Sequence, residues 1–354
     1  MNVLDLFCGC GGISEGFRLA GYNIVGGIDL NEEAIKTYSL NFPQAISLAG
    51  DILEFDDKKI KDIFGKKKVD IIVGGPPCQG FSNANRWQKE NDDPRNKLFF
   101  EYLKFVKVLS PKVIVIENVR GILSKDGGYA KKRIVTLLND LGYEVKSEVL
   151  NAADFGVPQN RYRAFFVGIK KNQKYDQFNF DLLTKKSTVT VKETISEIYQ
   201  FEKSKNDFHV IKKNPITEYQ TYLRSVDNKI KNHLVVYPAK MTQERIKHVP
   251  QGGNWRDIPE ELFENQRSNR HSSAFKRLAE NFVSVTIDTG NAHSNYFHPI
   301  YNRIPTVREA ARIQSFKDDF IFLGSRSSQY KQIGNAVPPL LAFAVATSLK
   351  KILN

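Results

Sequence analysis

A cysteine in a stiff, glycine-flanked turn is the residue of this sequence best suited to nucleophilic chemistry. Cys78 stands in the run GGPPCQG at residues 74–80, directly after an apolar stretch. The two prolines restrict the backbone and so fix the direction of the sulfur, while the glycines leave room for a flat substrate. A thiolate in such a place can attack carbon and form a covalent intermediate. An inert, buried thiol is the more typical interpretation for Cys8 and Cys10.

One carboxylate and two arginines could assist that nucleophile. Glu117 ends the apolar run 112–117, where partial desolvation would favour its protonated form and let it hold a proton on a ring nitrogen. Arg161 and Arg163 lie in the run QNRYR, and on an extended segment they would point to opposite faces. One could then reach a substrate oxygen while the other supports the structure. A pair of surface arginines is the alternative interpretation.

A glycine-rich turn offers a second site. The run FCGCGG at residues 7–12 follows an apolar stretch, and glycines at such a turn let a ligand approach the backbone closely. Asp29 comes 20 residues after Gly9 and could accept hydrogen bonds from ribose hydroxyls. Ser14 stands where the nicotinamide dinucleotide fingerprint has its third glycine. The turn therefore suits a nucleoside without a pyrophosphate better than a dinucleotide.

These residues need a scaffold that gathers them, and the apolar pattern supplies one. Five apolar runs alternate with helical stretches in the first half of the chain, which is typical of a doubly wound, mostly parallel α/β sheet. Such sheets bind ligands beyond the carboxyl ends of their strands. Asp51 is a second candidate acid at a strand end, with a helix or turn cap as its alternative role. We predict strands at residues 3–7, 23–28, 69–73, 112–117 and 164–169.

The composition limits the class of protein. A chain of 354 residues is enough for one large domain or two moderate ones. We find no window of about 20 apolar residues and no secretory signal in the start MNVLDLFCGCGG, so we expect a cytoplasmic protein without a membrane span. Three cysteines are too few for a disulfide scaffold. The C-x-C at residues 8–10 supplies too few ligands for zinc, so we expect no metal.

The charge is unevenly distributed. The net charge is +13; residues 1–170 carry 24 Lys and Arg against 21 Asp and Glu, whereas residues 171–354 carry 28 against 18. A positive field of this kind attracts polyanions such as nucleic acid. A lysine-rich surface without such a partner is the alternative.

The chain changes character near residue 171. We predict a catalytic, cofactor-binding domain at residues 1–170 and a smaller domain rich in loops and short strands at residues 171–300. A C-terminal segment, residues 301–354, follows, and its later part should return to the first domain. A capped helix is predicted to begin at Thr306, with Glu309 three residues later, and an apolar helix at residues 336–352.

The ordered set of motifs resembles the bacterial-type cytosine-5 DNA methyltransferases. Each motif alone is modestly specific, but their order is very specific. The resemblance implies a Rossmann-like, S-adenosylmethionine-dependent methyltransferase domain with a target-recognition domain at residues 171–300. The motifs are DLFxGxGG at residues 5–12, GGPPCQ at 74–79, ENV at 117–119, QxRxR at 159–163, RExxRxQ at 308–314 and GNxVP at 334–338.

The resemblance also implies roles for matching residues. Cys78 would be the nucleophile, Glu117 and Arg163 would contact the target base, and Arg161 would support them within the catalytic set. Leu30 follows Asp29 where some relatives carry an aromatic residue. Gln79, Ser82 and Thr286 would contact DNA. The residues that would bind the cofactor are Phe7, Gly9, Gly11, Asp29, Leu30, Asp51, Ile52, Pro77, Asn335 and Val337.

The implied activity is methyl transfer from S-adenosylmethionine to C5 of a flipped cytosine through a Cys78 adduct. The implied partners are double-stranded DNA and a cognate restriction endonuclease acting on the same site, with the methyltransferase as a monomer. Three alternatives stay open: a methyltransferase for transfer RNA cytosine, a catalytically silent nucleic-acid-binding protein, and a nicotinamide oxidoreductase. Ser14 and the Pro-Pro-Cys turn speak against the last.

Overall fold

A computed structural model describes residues 1–77, 96–171, 175–263, 275–289 and 296–353. Its contacts divide the chain into two units. Unit 1 comprises Met1–Phe155, Tyr162–Lys186 and Val337–Asn354, and unit 2 comprises Gly156–Arg161 and Ser187–Ala336. Each unit is therefore assembled from segments that are distant in sequence.

A seven-stranded sheet forms the centre of unit 1, in the order β3-β2-β1-β4-β5-β7-β6. Strands β1 to β5 are parallel to one another, whereas β7 is antiparallel to both of its neighbours, β5 and β6. The prediction of a mostly parallel α/β sheet is confirmed. The strands are β1 (Asn2–Leu6), β2 (Asn23–Asp29), β3 (Ile46–Ala49), β4 (Val69–Gly74), β5 (Val113–Val119), β6 (Tyr143–Asn151) and β7 (Tyr162–Lys170).

Helices of varied length accompany the strands and continue into unit 2. Those of unit 1 are α1 (Gly12–Leu19), α2 (Glu32–Asn41), α3 (Asp57–Phe64), α4 (Lys97–Leu109) and α5 (Tyr129–Asp140). Unit 2 contains α6 (Val191–Ile195), α7 (Glu218–Leu223), α8 (Lys240–Lys247), α9 (Val307–Ile313) and α10 (Arg326–Asn335). The chain then returns to unit 1 with α11 (Pro339–Leu353).

The central strands owe their position to continuous burial. Ile71, Ile72 and Val73 of β4 have no exposed surface, and Val113–Ile116 of β5 are equally buried. Strands covered on both faces are apolar throughout, which explains why the sequence shows uninterrupted runs rather than alternation. The sheet therefore holds its strand ends rigidly.

The chain reverses its direction of winding between β1 and β4. It builds β2 and β3 on one side of β1 and then crosses to place β4 on the other side. At such a switch point the connections leave in opposite directions and open a crevice beyond the carboxyl ends of the two strands. The glycine turn follows β1, and the turn toward Cys78 follows β4, so both begin at this crevice.

Helix α11 supports α1, which carries the glycine turn. Gly16 of α1 permits the contact, because a Cβ there would lie 2.5 Å from the carbonyl oxygen of Pro339 and from the Cβ of Ala342. By length and composition residues 326–353 could cross a membrane, but 78% of their apolar window is buried inside the protein. That burial is typical of a core helix.

Unit 2 contains short helices, two-residue strands and buried ion pairs. Its two-residue strands pair as β8 (His209–Val210) with β9 (Lys229–Ile230), and as β10 (Lys276–Arg277) with β11 (Tyr296–Phe297). Arg303 lies between Glu202 and Glu309, at 2.6 and 2.7 Å. Buried charges of this kind persist only when they are paired and hydrogen-bonded.

The capped helix predicted at Thr306 is present as α9. The Thr306 hydroxyl accepts the Glu309 amide, and the Glu309 carboxylate accepts the Thr306 amide. This reciprocal pair satisfies two amides that the first helical turn leaves without partners.

The unit boundaries differ from the predicted ones at residues 156–161, 171–186 and 301–336. The amide of Lys186 donates to the carbonyl of Asp154, and Leu182 accepts from Ser348, so the described part of 171–186 stays with unit 1. Unit 2 continues to Ala336, beyond residue 300. Composition changes along a chain, whereas compactness depends on contacts between distant segments. The assignment of this region to target recognition stays a prediction.

Replacing Gly74 should destabilise the sheet at the switch point. A Cβ there would lie 2.2 Å from the carbonyl oxygen of Leu6, which is backbone and cannot turn away. We expect Gly74→Ala to lower the free energy of unfolding by about 1–3 kcal/mol, measured by urea denaturation. Gly50→Ala is the control, because its added Cβ would meet nothing within 4 Å. Equal unfolding midpoints for the two variants would refute this account.

Candidate active site

The residues suited to chemistry each come one position after a row of residues that are in register near the carboxyl ends of four strands. Leu6 of β1 is in register with Ile28 of β2 and Gly74 of β4, and Gly74 is in register with Ile116 of β5. The next residues are therefore Asp29, Phe7, Gly75 and Glu117. Since these four strands are parallel, the groups emerge at one edge of the sheet.

Left-handed backbone shapes the glycine turn. Phe7 ends the predicted strand early, because its φ of 60° turns the chain out of β1. Gly9 and Gly11 also have positive φ, at 53° and 101°, which glycine adopts without steric cost. The amide of Gly11 donates to the carbonyl of Cys8 at 2.9 Å and closes the turn.

Asp29 is bound to the glycine turn through its carboxylate. One oxygen accepts the Gly9 amide at 2.8 Å, and the other accepts the Asn31 amide at 2.8 Å. Burial raises the pKa of Asp29, and these two backbone hydrogen bonds oppose that rise. The predicted ligand residue thus also fixes the turn from which it would act.

Asp51 and its neighbours continue this edge. Asp51 accepts the Leu53 amide at 3.0 Å and caps a short 3₁₀ turn, which is the alternative role foreseen for it. Ile52 is buried, whereas Leu30 is 71% exposed. The contacts of Asp51 do not test its predicted part in cofactor binding.

A buried carboxyl group lies beneath the glycine turn, and the sequence analysis did not select it. Asp5 has no exposed surface and accepts the Ser14 hydroxyl at 2.7 Å. Ser14 also lies 3.0 Å from the hydroxyl of Tyr38, which reaches the carbonyl of Gly26. Burial raises the pKa of Asp5 to about 7, and the nearby charge of Asp29 adds to the rise. A charged residue inside the apolar strand VLDL was the available signal.

The ring of Tyr38, whose hydroxyl lies near Ser14, also packs against the glycine turn. A Cβ on Gly11 would lie 3.0 Å from the Tyr38 ring, and a Cβ on Gly27 would lie 2.5 Å from it. The ring therefore occupies the space that two side chains would need. A glycine in place of Ser14 would remove the hydroxyl that bridges Asp5 and Tyr38. This role of the hydroxyl explains why the chain departs from the dinucleotide fingerprint at residue 14.

Both cysteines of the glycine turn are buried free thiols. Burial raises the pKa of Cys8 and of Cys10, so neither is poised as a thiolate. These surroundings agree with the interpretation of both cysteines as inert, buried thiols.

Glu117 and Arg163 form a close ion pair at the end of β5. The Arg163 Nε lies 2.9 Å from the Glu117 Oε1, with 18% and 13% of the two side chains exposed. A second guanidinium nitrogen of Arg163 donates to the Tyr162 carbonyl at 2.9 Å. The antiparallel register brings Arg163 opposite Val119, two residues beyond Glu117. The arginine thus fixes the carboxylate in one orientation.

The same carboxylate lies against the turn that leads to Cys78. A Cβ on Gly75 would lie 3.2 Å from the Glu117 Oε2, and the carbonyl of Pro76 accepts the Asn118 amide group at 2.9 Å. Pro77 is exposed. Cys78, Gln79 and Ser82 lie outside the described residues. The structure therefore places the residues that lead to the predicted nucleophile next to Glu117, its predicted partner acid.

Arg161 and Thr286 belong to unit 2. Arg161 is buried and donates to the carbonyls of Ile287 and Gly334, at 2.9 and 2.7 Å. The Thr286 hydroxyl donates to the carbonyl of Asn160 at 2.7 Å. These hydrogen bonds of Arg161 hold backbone carbonyl groups in place. They differ from those of Arg163, although the two arginines are separated by one residue.

The two predicted cofactor residues near the start of α11 are separated by the unit boundary. Asn335 is exposed at the end of α10 in unit 2, and Val337 is buried in unit 1. Their predicted roles stay predictions.

The sheet and its edge define a Rossmann-like methyltransferase fold. A solved structure of a candidate DNA modification methyltransferase encoded within an Escherichia coli prophage matches with a TM-score of 0.82 at 28% identity, over 100% of this chain and 99% of that one. The Schizosaccharomyces pombe Dnmt2 methyltransferase shares the fold, with a TM-score of 0.64 at 18% identity over 100% and 99% of the chains.

The chain belongs to the C-5 cytosine-specific DNA methylase family, whose model matches residues 1–351. The Type II methyltransferase M.DdeI of Desulfomicrobium norvegicum is 39% identical over 98% of this chain and 88% of its own length. The Type II methyltransferase M1.HphI of Haemophilus parahaemolyticus is 36% identical over 99% and 87%. The resemblance in the motifs is confirmed, and the chain is a DNA cytosine methyltransferase.

The buried Asp5 should make stability depend on pH. In the unfolded chain this carboxyl ionises near its ordinary value of 3.8, whereas the folded protein holds its proton up to about 7. Its stabilising contribution is therefore lost as the pH rises between these values, at about 1.4 kcal/mol per unit of pKa difference. We expect Asp5→Asn to lose less stability than the wild type between about pH 4 and pH 7, measured by urea denaturation.

The control for this prediction is Asp62→Asn, which removes a carboxylate from an exposed position of α3. Its pH profile should follow that of the wild type. A profile for Asp5→Asn that also follows the wild type would show that Asp5 is ionised in the fold throughout this range.

Proposed function

We propose that this chain transfers a methyl group from S-adenosylmethionine to C5 of a cytosine flipped out of a short, specific sequence in double-stranded DNA. The observation that carries the proposal is the ion pair of Glu117 and Arg163, which lies against the turn leading to Cys78. The glycine turn begins beside it at the same sheet edge. An acid for a ring nitrogen and a place for a nucleoside cofactor are thus neighbours.

The glycine turn and Asp29 fit the nucleoside part of S-adenosylmethionine. A Cβ on Gly9 would meet nothing within 4 Å, so a ligand can approach the backbone there. Each oxygen of Asp29 accepts one backbone amide and keeps a lone pair for a ribose hydroxyl. Leu30 offers exposed apolar surface for the adenine. When bound, S-adenosylmethionine supplies a methyl group activated by its sulfonium charge.

Cys78 and Glu117 would activate the cytosine. Carbon 5 of cytosine is too weak a nucleophile to accept a methyl group directly. A bond from the Cys78 sulfur to C6 moves electron density to C5, and Glu117 stabilises this addition by holding a proton at N3. After methylation a base removes the C5 proton, and the electrons of that C–H bond restore the C5–C6 double bond as the Cys78 thiolate leaves.

Arg163 would serve this chemistry through Glu117 as well as by contact with the base. Its bonds to the Glu117 carboxylate and to the Tyr162 carbonyl fix the acid before substrate arrives. Preorganised polar groups cost no rearrangement at the moment of reaction. This arrangement favours the proposed role over that of a surface arginine.

DNA must deliver the cytosine outside the helix, because the target atom is inaccessible in a duplex. Flipping costs a few kcal/mol of stacking and pairing. The positive second half of the chain could offset this cost through phosphate contacts. We propose that unit 2 recognises the target sequence and that Gln79, Ser82 and Thr286 contact DNA. Arg161 would keep the backbone near Gly334 in place.

The biological setting follows from the relatives, which are named Type II methyltransferases. We propose that the chain is the modification enzyme of a restriction-modification system and protects the site cut by a cognate endonuclease. We propose that it acts as a monomer in the cytoplasm, because one active site modifies one strand at a time.

The test of this function is methyl transfer from tritiated S-adenosylmethionine to unmethylated genomic DNA, with transfer RNA as the parallel substrate and bisulfite sequencing of the DNA product. We expect label at the cytosines of one short motif. Label in RNA alone would support the transfer RNA alternative, and no label in either would favour a silent binding protein.

Cys78→Ser should bind DNA and cofactor without methylating the DNA. A hydroxyl is a far weaker nucleophile than a thiolate at neutral pH. The covalent step can be observed with DNA that contains 5-fluorocytosine, which has no C5 proton to lose and therefore traps the adduct. We expect the wild type, but not this variant, to remain attached to DNA in denaturing gels. Turnover by Cys78→Ser would exclude the covalent mechanism.

Glu117→Gln should slow the addition step without preventing binding. The amide cannot hold the proton at N3, so we expect the single-turnover rate to fall roughly 100- to 10,000-fold. Glu148→Gln, on an exposed position of β6, is the matched control and should keep the wild-type rate. A similar rate for both variants would remove Glu117 from the mechanism.

A further inference from the structure

A solvent-exposed arginine stacks on a tyrosine close to the Glu117–Arg163 pair. The guanidinium carbon of Arg120 lies 5.4 Å from the centre of the Tyr162 ring. Arg120 is exposed, and Tyr162 is 42% exposed. Neither side chain has a part in the chemistry described above.

The backbone connects this stack to the proposed base site. Arg120 follows the last residue of β5, and Tyr162 is the first residue of β7. The carbonyl of Tyr162 accepts a hydrogen bond from Arg163, the residue that orients Glu117. Three extended residues span at most about 11 Å, so Arg120 lies within that distance of Glu117.

We propose that Arg120, held over Tyr162, binds a phosphate of the DNA strand next to the target cytosine. This inference rests on the proposed function, because it places the flipped base at Glu117. A base that leaves the helix rotates about its own backbone, so its flanking phosphates remain at the mouth of the pocket. Arg120 and Tyr162 are exposed and close in sequence to Glu117 and Arg163, where such phosphates would lie.

The charge and shape of the stack fit a phosphate. Arg120 forms no ion pair with another described residue, and its side chain is exposed. An arginine fork binds phosphate oxygens in pairs, and an aromatic ring restricts its motion without taking up its donors. Less conformational freedom is then lost when the anion binds.

The experiment measures equilibrium binding of a fluorescent, unmethylated duplex pool of mixed sequence over a series of salt concentrations, without cofactor. Arg120→Ala should weaken binding roughly tenfold. It should also reduce the slope of log K against log salt by about 0.9, the value for one lost phosphate contact. Arg120→Lys keeps the charge and should keep the slope.

Two further variants separate the ring from the charge. Tyr162→Phe retains the aromatic face and should preserve binding, whereas Tyr162→Ala frees the guanidinium and should weaken it. Lys66→Ala is the control for net charge, because Lys66 is exposed in the segment that precedes β4, at the amino end of the sheet. Thermal unfolding of each variant confirms that it is folded.

The salt slope decides the result. An unchanged slope in Arg120→Ala, or a change no larger than that in Lys66→Ala, would overturn the proposal. Methyl transfer is measured separately: Arg120→Ala should raise KM for DNA and leave kcat nearly unchanged. A wild type that binds DNA through Arg120 but transfers no methyl group would contradict the proposed function and leave the phosphate contact standing.

Discussion

The close approach of β1 and β4 is the constraint on which the candidate site depends. The carbonyl of Leu6 occupies the space where Gly74 would otherwise carry a side chain. Because the two strands meet this tightly and in register, their following turns leave the sheet side by side. The glycine turn and the approach to Cys78 can then serve one reaction, although about 70 residues separate them in sequence.

The two units hold their buried ionisable groups in different ways. Asp5 in unit 1 has a hydroxyl as its described partner, and its burial favours the neutral acid. In unit 2, Arg303 and Arg312 are each held between two carboxylates and remain charged. An unpaired carboxyl group responds to pH near neutrality, whereas a paired arginine does not. The pH sensitivity of the protein should therefore concentrate beneath the glycine turn.

The sequence predicted the features that depend on local patterns. The five apolar runs form buried strands, and the glycine turn has the positive φ angles that glycine permits. The cap at Thr306 forms its reciprocal hydrogen bond with Glu309. Features that depend on distant contacts were not predictable in this way. The different partners of Arg161 and Arg163 arise from contacts between segments far apart in sequence. Strand β6 was not among the predicted strands, and it pairs antiparallel with β7, the next strand along the chain. Phe7 looks like a strand residue by composition, but the turn sets its conformation.

The contact between α1 and α11 has a consequence for biosynthesis. Roughly 320 residues lie between the end of α1 and the start of α11, which at about 5–20 residues per second corresponds to tens of seconds of translation. Throughout that interval the face of α1 around Gly16 has no partner on the nascent chain. Chains released before residue 339 is added would carry the helix that follows the glycine turn without the support of α11. Unit 1 is therefore completed only when nearly the whole chain has been synthesised.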